Sequence, residues 1–403
     1  MADQDRIGAR VAAIRKTRGW TARELARRAS VSYSLLAKVE SSAVPATPAF
    51  IGAVARALRV DVPRITGQPY EEPGRRYAQL QATIDSLRRA LLTYDLPPDL
   101  AAPVRPVNEL RADVQAMSAL GRQARYLQLG QSLPGLLDEL HAAVIDAPEA
   151  ARPVLYGLLA EAYGGISGLA HQLGYADLRA VALDRIEQAS GRSGDPLRVA
   201  RTQWSRGASL LGAGAYDQGL ALMERTRTEL GGNVGSMDEA ARSMYGSLHL
   251  RSAVLAARAG RRAEADSHLA EGRAVSTTVP EGANSYGMEF GAANVALHEV
   301  SAAIELADGT LAVSRAEDAE RAGHLRVLPP SRVGHYRIEV ARGWLYHGDR
   351  HRALRALQAA RRVSPQQVRF HPMVRDTVSV IAGAERRPSE ELRSFATWLG
   401  IDS

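Results

Sequence analysis

The chain of 403 residues contains no cysteine, which excludes disulfides, thiolate metal sites and cysteine nucleophiles. Lysine occurs only at Lys16 and Lys38, and neither stands in the Gly-x-x-x-x-Gly-Lys-Ser/Thr context of a Walker-type phosphate loop. No apolar run reaches the roughly 18 residues that span a bilayer. The start, Met1 to Arg6, lacks the basic-then-apolar pattern of a secretory leader. There is no Gly-x-Ser-x-Gly elbow. Gly212-Ala213-Gly214 lacks the third glycine and the preceding strand of a dinucleotide fingerprint. His298-Glu299 is followed by no second histidine at zinc-protease spacing. Acidic pairs on helix faces read as solvated surface. These absences predict a cytoplasmic protein that is not an enzyme, needs no cofactor or metal, and has no membrane partner.

What is present is an uneven distribution of charge. Apolar residues make up 45% of the chain and charged residues 24%, as in ordinary globular proteins. The length exceeds what one core organises, so at least two domains are expected. Residues 1–67 hold 12 of the 51 basic residues and 5 of the 44 acidic ones, so the whole net charge of +7 lies there and the remainder is balanced. A short basic segment on a neutral body is the electrostatic footprint of a polyanion binder.

The local pattern inside that segment is specific. Ile7, Val11, Ile14 and Trp20 mark a first helix that ends near Gly19. Thr21 with Glu24 has the form of a capping box, and Leu25, Ala26 and Ala29 supply one apolar face. Ser30-Val31 carries a turn, and Ser32 caps a further helix to Glu40 with Leu36 and Val39 inward. Tyr33, Ser34, Ala37 and Lys38 are left on its outer face, a polar and basic set suited to a major groove. Thr47-Pro48 opens a fourth helix built on Phe50, Ile51, Val54, Ala55 and Leu58, and Asp61-Val62-Pro63 opens a short fifth.

Five small helices with the tight turn between the second and third resemble the lambda-repressor-like (XRE) DNA-binding domains. The resemblance covers residues 6–67 and rests on Glu24-Leu25-Ala26, Lys38-Val39-Glu40 and Ala57-Leu58-Arg59-Val60. Two positions depart from the family pattern: Ala22 where glutamine is usual, and Ser30 where glycine is usual. By position within the motif, the resemblance implies that Tyr33, Ser34 and Lys38 meet base edges of double-stranded DNA. Thr21, Arg23 and Ser32 fall near phosphates.

Gln68 to Arg76 reads as a linker by its Pro/Gly and charge content, and residues 77–403 read as helical throughout. Leu80, Ile84, Leu87, Leu91 and Leu92 form one stripe, stopped by Pro97-Pro98. Leu110, Val114, Met117, Leu120, Ala124 and Leu127 form another, with a turn expected near Gly130 and a partner helix from about Ser132. A recurring element follows: a helix end, then glycine, then a small residue in the next helix. It occurs at Leu173-Gly174, Ala213-Gly214, Ala259-Gly260, Asp308-Gly309 and His347-Gly348. Its spacing is longer and less even than the about 34 residues of tetratricopeptide repeats, but the logic of glycine-ended hairpins is shared. The expected architecture is all-α, a five-helix DNA-binding domain followed by a tetratricopeptide-like superhelix over about 107–383 and a terminal helix, Glu390 to Leu399.

The whole arrangement resembles actinomycete XRE regulators with a C-terminal tetratricopeptide-like domain. The resemblance is carried by Leu158 to Tyr163, Gly194-Asp195-Pro196, Glu289 to His298 and Val368 to Pro372. It implies a DNA-binding transcriptional regulator, a homodimer on a palindromic operator, whose helical domain senses a peptide or small-molecule effector. On the concave wall expected of such a domain, Phe290, Asn294 and His298 share a helix face, with Arg201 and Trp204 on one earlier helix and Tyr245 and His249 on another. Arg251 is expected to turn away from Tyr245 and His249. The alternative is a DNA-tethered scaffold whose repeat domain binds a protein partner.

Overall fold

The computed structural model describes residues 6–70, 75–100, 102–231, 234–385 and 387–401. Part of the expected 68–76 linker and the side chain of Leu80 lie outside the described residues. Every regular element among the described residues is helical. The first five are α1 (Ile7–Thr17), α2 (Ala22–Ala29), α3 (Tyr33–Glu40), α4 (Pro48–Leu58) and α5 (Val62–Thr66).

Their ends follow from local chemistry. Thr21, Ser32 and Thr47 each accept a backbone N–H three residues on, fixing the starts of α2, α3 and α4. The reciprocal half of the expected capping box does not form. Glu24 is drawn instead to Arg28 one turn later, at 2.8 Å. Leu25, Leu36, Val54 and Leu58 are fully buried at the centre. Ile14 is only half-buried, and Arg15, one residue on, goes inside to form two hydrogen bonds of 2.8 Å with Glu40.

A helix α6 (Arg75–Leu92) leads into six antiparallel hairpins. These pair α7 (Val107–Arg122) with α8 (Tyr126–Asp146), α9 (Arg152–Leu173) with α10 (Ala176–Arg192), and α11 (Pro196–Ala213) with α12 (Tyr216–Leu230). They continue with α13 (Glu239–Arg258) and α14 (Arg262–Ser276), α15 (Ala292–Glu305) and α16 (Gly309–Arg321), and α17 (Pro330–His347) and α18 (Arg350–Val363). The short α19 (Pro365–Phe370), α20 (Pro372–Ala384) and α21 (Glu390–Trp398) close the chain. Helix α6 packs on α8 and α10 as the first layer of the stack, leaving Leu92 exposed rather than on the buried stripe.

Two expected turns move. The first hairpin turns at Ala124, in the left-handed region at φ 55°, and α8 begins at Tyr126 and runs through Gly130 and Pro134. Gly130 is needed for packing instead: a Cβ there would meet Thr83 of α6 at 2.8 Å. In the fourth repeat, Ala307 (φ 57°) makes the turn and Gly309 is already helical, since a Cβ there would lie 2.6 Å from the His347 amide of α17. At Gly174, Gly214, Gly260 and Gly348 glycine does occupy the left-handed position, as the repeat pattern predicts.

The superhelix returns on itself. Helix α7 packs on α17 and α9 on α19, the Leu127 amide donates to Gln366 Oε1 at 3.0 Å, and Arg122 pairs with Glu289 at 2.6 Å. The result is a ring one helical hairpin thick.

The five-helix domain is docked on one edge of that ring. Met373 of α20 belongs to the same apolar cluster as Ile51, Val54 and Ile65. The Ala46 amide donates to Asp376 Oδ2 at 2.9 Å in a buried contact, Arg56 donates to the Gly214 carbonyl, and Gln68 Nε2 donates to the Phe370 carbonyl at 3.1 Å. Gln68 thus lies packed over the α9–α10 turn at Gly174, although composition places it in a linker.

Burial pushes the Asp376 carboxyl up to about 7, against the opposing pull of the Ala46 N–H and of Arg342 and Arg10. The docked chain therefore holds this proton more tightly than the unfolded chain, where an aspartate titrates near about 4. The associated stability is fully present below that unfolded value and is lost as pH rises through about 7. Asp376→Asn keeps an oxygen for Ala46 and removes the charge. Its melting temperature should fall less than that of the wild type between about pH 5 and pH 8, and equal falls would refute this titration.

Candidate nucleic-acid interface

The turn between α2 and α3 is tight because Ser30 takes a left-handed conformation (φ 55°, ψ 38°) and its neighbour's amide, Val31 N–H, returns to the Ala26 carbonyl at 3.0 Å. This aligns α3 with Leu36 and Val39 buried against α1 and α2. The opposite face is open: Tyr33 is 51% exposed, and Ser34 and Lys38 are exposed beside it. Thr21, Arg23 and Ser32 are exposed as well. The Arg23 guanidinium lies 5.6 Å from the Tyr33 ring centroid, so the start of α2 and the start of α3 form one continuous surface.

Charge on this surface has one sign. Glu40, the acidic residue of α3, is turned inward onto Arg15, and Glu24 is taken up by Arg28. The hydroxyl oxygens of Thr21 and Ser32 already accept backbone N–H groups at 3.1 Å, which leaves each O–H as a donor. Donors and cations without facing carboxylates suit phosphate oxygens. Docking leaves the face clear, because the ring is contacted through α4, the Ala46 loop and Gln68. The Arg15–Glu40 pair that holds α1 to α3 was not legible beforehand; its signal is one arginine and one glutamate in a run otherwise short of acid.

The seven residues expected on the concave wall separate into two groups. Phe290 is 1% exposed, its ring filling the space left by Gly246, and Asn294 is 2% exposed with Nδ2 donating to the Met288 carbonyl. The Tyr245 ring lies 4.9 Å from that of His249, tilted at 59°, and His249 meets His268 of α14 at 3.1 Å, inside a hairpin. These four serve the wall itself. Arg201, Trp204 and His298 do face the ring interior. Arg201 lies 4.8 Å from the Trp204 ring, and Trp204 Nε1 donates to the Ser247 carbonyl at 3.1 Å. Burial, with the charges of Arg332 and Arg251, pushes His298 down to about 3, its Nδ1 lying 2.8 Å from the Asn294 carbonyl.

Arg251, turned away from Tyr245 and His249, joins this second group, its guanidinium 4.1 Å from the Trp204 ring centroid. Arg179, Arg332, His335 and His371 complete it, residues that no sequence motif singled out except His371 within Val368 to Pro372. Elsewhere, clefts of about 340 Å³ beside Arg361 and Glu390 and about 250 Å³ beside Arg105 and Glu139 lie outside the ring interior. No group of three potential metal ligands occurs among the described residues. No helix among them is long and apolar enough to cross a membrane.

A capped reading helix, a tight turn before it and an unopposed basic face define a helix-turn-helix DNA-binding domain at the N-terminus. In agreement, residues 6–65 match the family described as "Helix-turn-helix domain". No curated protein matches the chain.

Left-handed geometry costs a residue with a Cβ about 1–2 kcal/mol, partly offset by the extra freedom glycine has when unfolded. Ser30→Gly should therefore stabilise the protein by about 1 kcal/mol in denaturant unfolding and leave DNA affinity unchanged. A loss of stability would show that the serine side chain makes a contact outweighing the strain.

Proposed function

We propose that the protein is a sequence-specific transcriptional regulator of the lambda-repressor-like class, acting in the cytoplasm as a homodimer, with the hairpin ring as a tetratricopeptide-like receiver of a peptide or small-molecule signal. The observation that carries this reading is the free face of α3, exposed at Tyr33, Ser34 and Lys38 although the domain is docked at three places. In two copies the α3 helices enter successive major grooves, about 34 Å apart on a palindromic site. Tyr33, Ser34 and Lys38 meet base edges, and Thr21, Arg23 and Ser32 hold phosphates.

A signal reaches the DNA only if it favours one placement of the reading helices over another. Helix α20 is suited to carry it. His371 caps α20, accepting the Met373 N–H at 3.3 Å, and its ring lies 5.9 Å from His335 of α17. Two residues later Met373 enters the core of the DNA-binding domain, and Asp376 grips Ala46. A change at the His371 end of α20 therefore moves the seat of the DNA-binding domain.

Binding to the gene's own upstream DNA, followed by fluorescence anisotropy at several salt concentrations, tests the reading. The wild type should bind tightly with a steep salt dependence. Lys38→Ala should lose about tenfold or more on that DNA and far less on unrelated DNA, since base contacts carry discrimination of about 1–3 kcal/mol. Equal, weak binding of wild type and variant to every sequence would refute it.

A further inference from the structure

The interior of the ring carries an unbalanced charge. Arg201, Arg251 and Arg332 come from α11, α13 and α17, and Arg179 from the first turn of α10. Arg251 stands among the others, within the field of Arg332, Arg179 and Arg201. Its guanidinium lies over Trp204, and its Nε is buried without a hydrogen-bond partner. Arg179 Nε is likewise buried and unpartnered, while its Nη1 donates to His171 Nδ1 at 2.9 Å. Arg201 donates to the Tyr286 carbonyl and to Ser205, neither of them charged.

The nearby carboxylates are already engaged. Glu289 pairs with Arg122 at 2.6 Å and with Arg332 at 3.7 Å, and Glu161 pairs with Arg198 at 2.6 Å. Glu339 pairs with Arg342 at 2.8 Å, and Glu305 with Arg258 at 2.7 Å. None is left for Arg179, Arg201 or Arg251. Burial, and for Arg201 and Arg251 the neighbouring guanidiniums as well, push Arg251 down to about 9 and Arg179 and Arg201 to about 10. All four side chains remain partly open to solvent although protein surrounds them, as expected for the wall of a ring.

Guanidiniums held together without counter-charge destabilise a fold, and an oxyanion between them removes that repulsion while accepting paired N–H donors. We propose that the ring interior binds a small multivalent oxyanion of the phosphate-bearing class, held by Arg179, Arg201, Arg251 and Arg332. His335 and His371 lie at the same wall and supply neutral N–H donors, and His371 is the cap of α20. The proposal rests on the reading of the ring as the signal-receiving part, and it gives that signal a chemical class.

Inorganic pyrophosphate is the probe, added to the full chain without DNA and followed by calorimetry and thermal melting against sodium chloride of matched ionic strength. Pyrophosphate should bind with one site per chain and raise the melting temperature by at least about 2 °C near saturation. Arg251→Gln and Arg332→Gln should each weaken binding at least tenfold. Arg251→Gln should melt no lower than the wild type without the anion, because it removes repulsion; a purely structural arginine would give the opposite sign. No binding beyond the chloride control, or binding unchanged in both variants, would overturn the proposal. Pyrophosphate that binds as described but leaves DNA affinity unaltered would uphold the anion site and count against the signal reading. Failure of the wild type to bind DNA would leave the calorimetric result standing.

Discussion

The placement of the reading helix depends on one buried contact, the Ala46 amide on the Asp376 carboxylate, with Met373 beside it in the core of the DNA-binding domain. A five-helix domain of this size has a small core of its own. By lending Met373, α20 enlarges that core and makes the ring part of it. Arg56 on the Gly214 carbonyl and Gln68 on the Phe370 carbonyl add polar fixings at two other points. Three separated points define an orientation, whereas a flexible tether would define only a distance.

The same economy of small residues governs the ring. Glycines at the hairpin turns end one helix and start the next, and glycines within helices let neighbours approach. Gly309 under the α17 backbone and Gly130 under Thr83 are examples of the second use. Because every hairpin contacts its neighbours and the last returns to the first, the ring encloses a wall on which arginines from distant parts of the sequence meet. Arg179 and Arg332 are 153 positions apart in the chain, yet each acts electrostatically on Arg251.

Much of the helix-turn-helix was legible in the sequence because its signals are local: caps at Thr21, Ser32 and Thr47, and apolar spacing at Leu25, Leu36 and Val39. The turn at Ala124 was not, since an alanine in left-handed geometry carries no sequence mark and Gly130 offered a false one. The exchange of Ile14 for Arg15 in the interior escaped for a different reason, because periodicity does not anticipate a buried charge whose partner, Glu40, lies 25 residues on. The concave wall was half legible. Helix spacing put Phe290, Asn294 and His298 on one face, but α15 begins only at Ala292, so Phe290 precedes it and packs against Gly246, and of the three only His298 reaches the interior. Helix spacing separates Arg251 from Tyr245 and His249, which turn into their own hairpin while Arg251 turns to Trp204, a partner 47 positions away that spacing does not reveal.

The central claim is that the DNA-binding domain is seated on α20 as part of one body. Amide hydrogen exchange at Ala46 in the full-length protein tests it most directly. This amide, in a loop but bonded to buried Asp376, should exchange about as slowly as the amides of the buried helices and far more slowly than its neighbours at Ser41 and Ser42, which are bonded only to the last turn of α3. Exchange at the rate of those neighbours would mean that the domain is not seated, and would contradict the account.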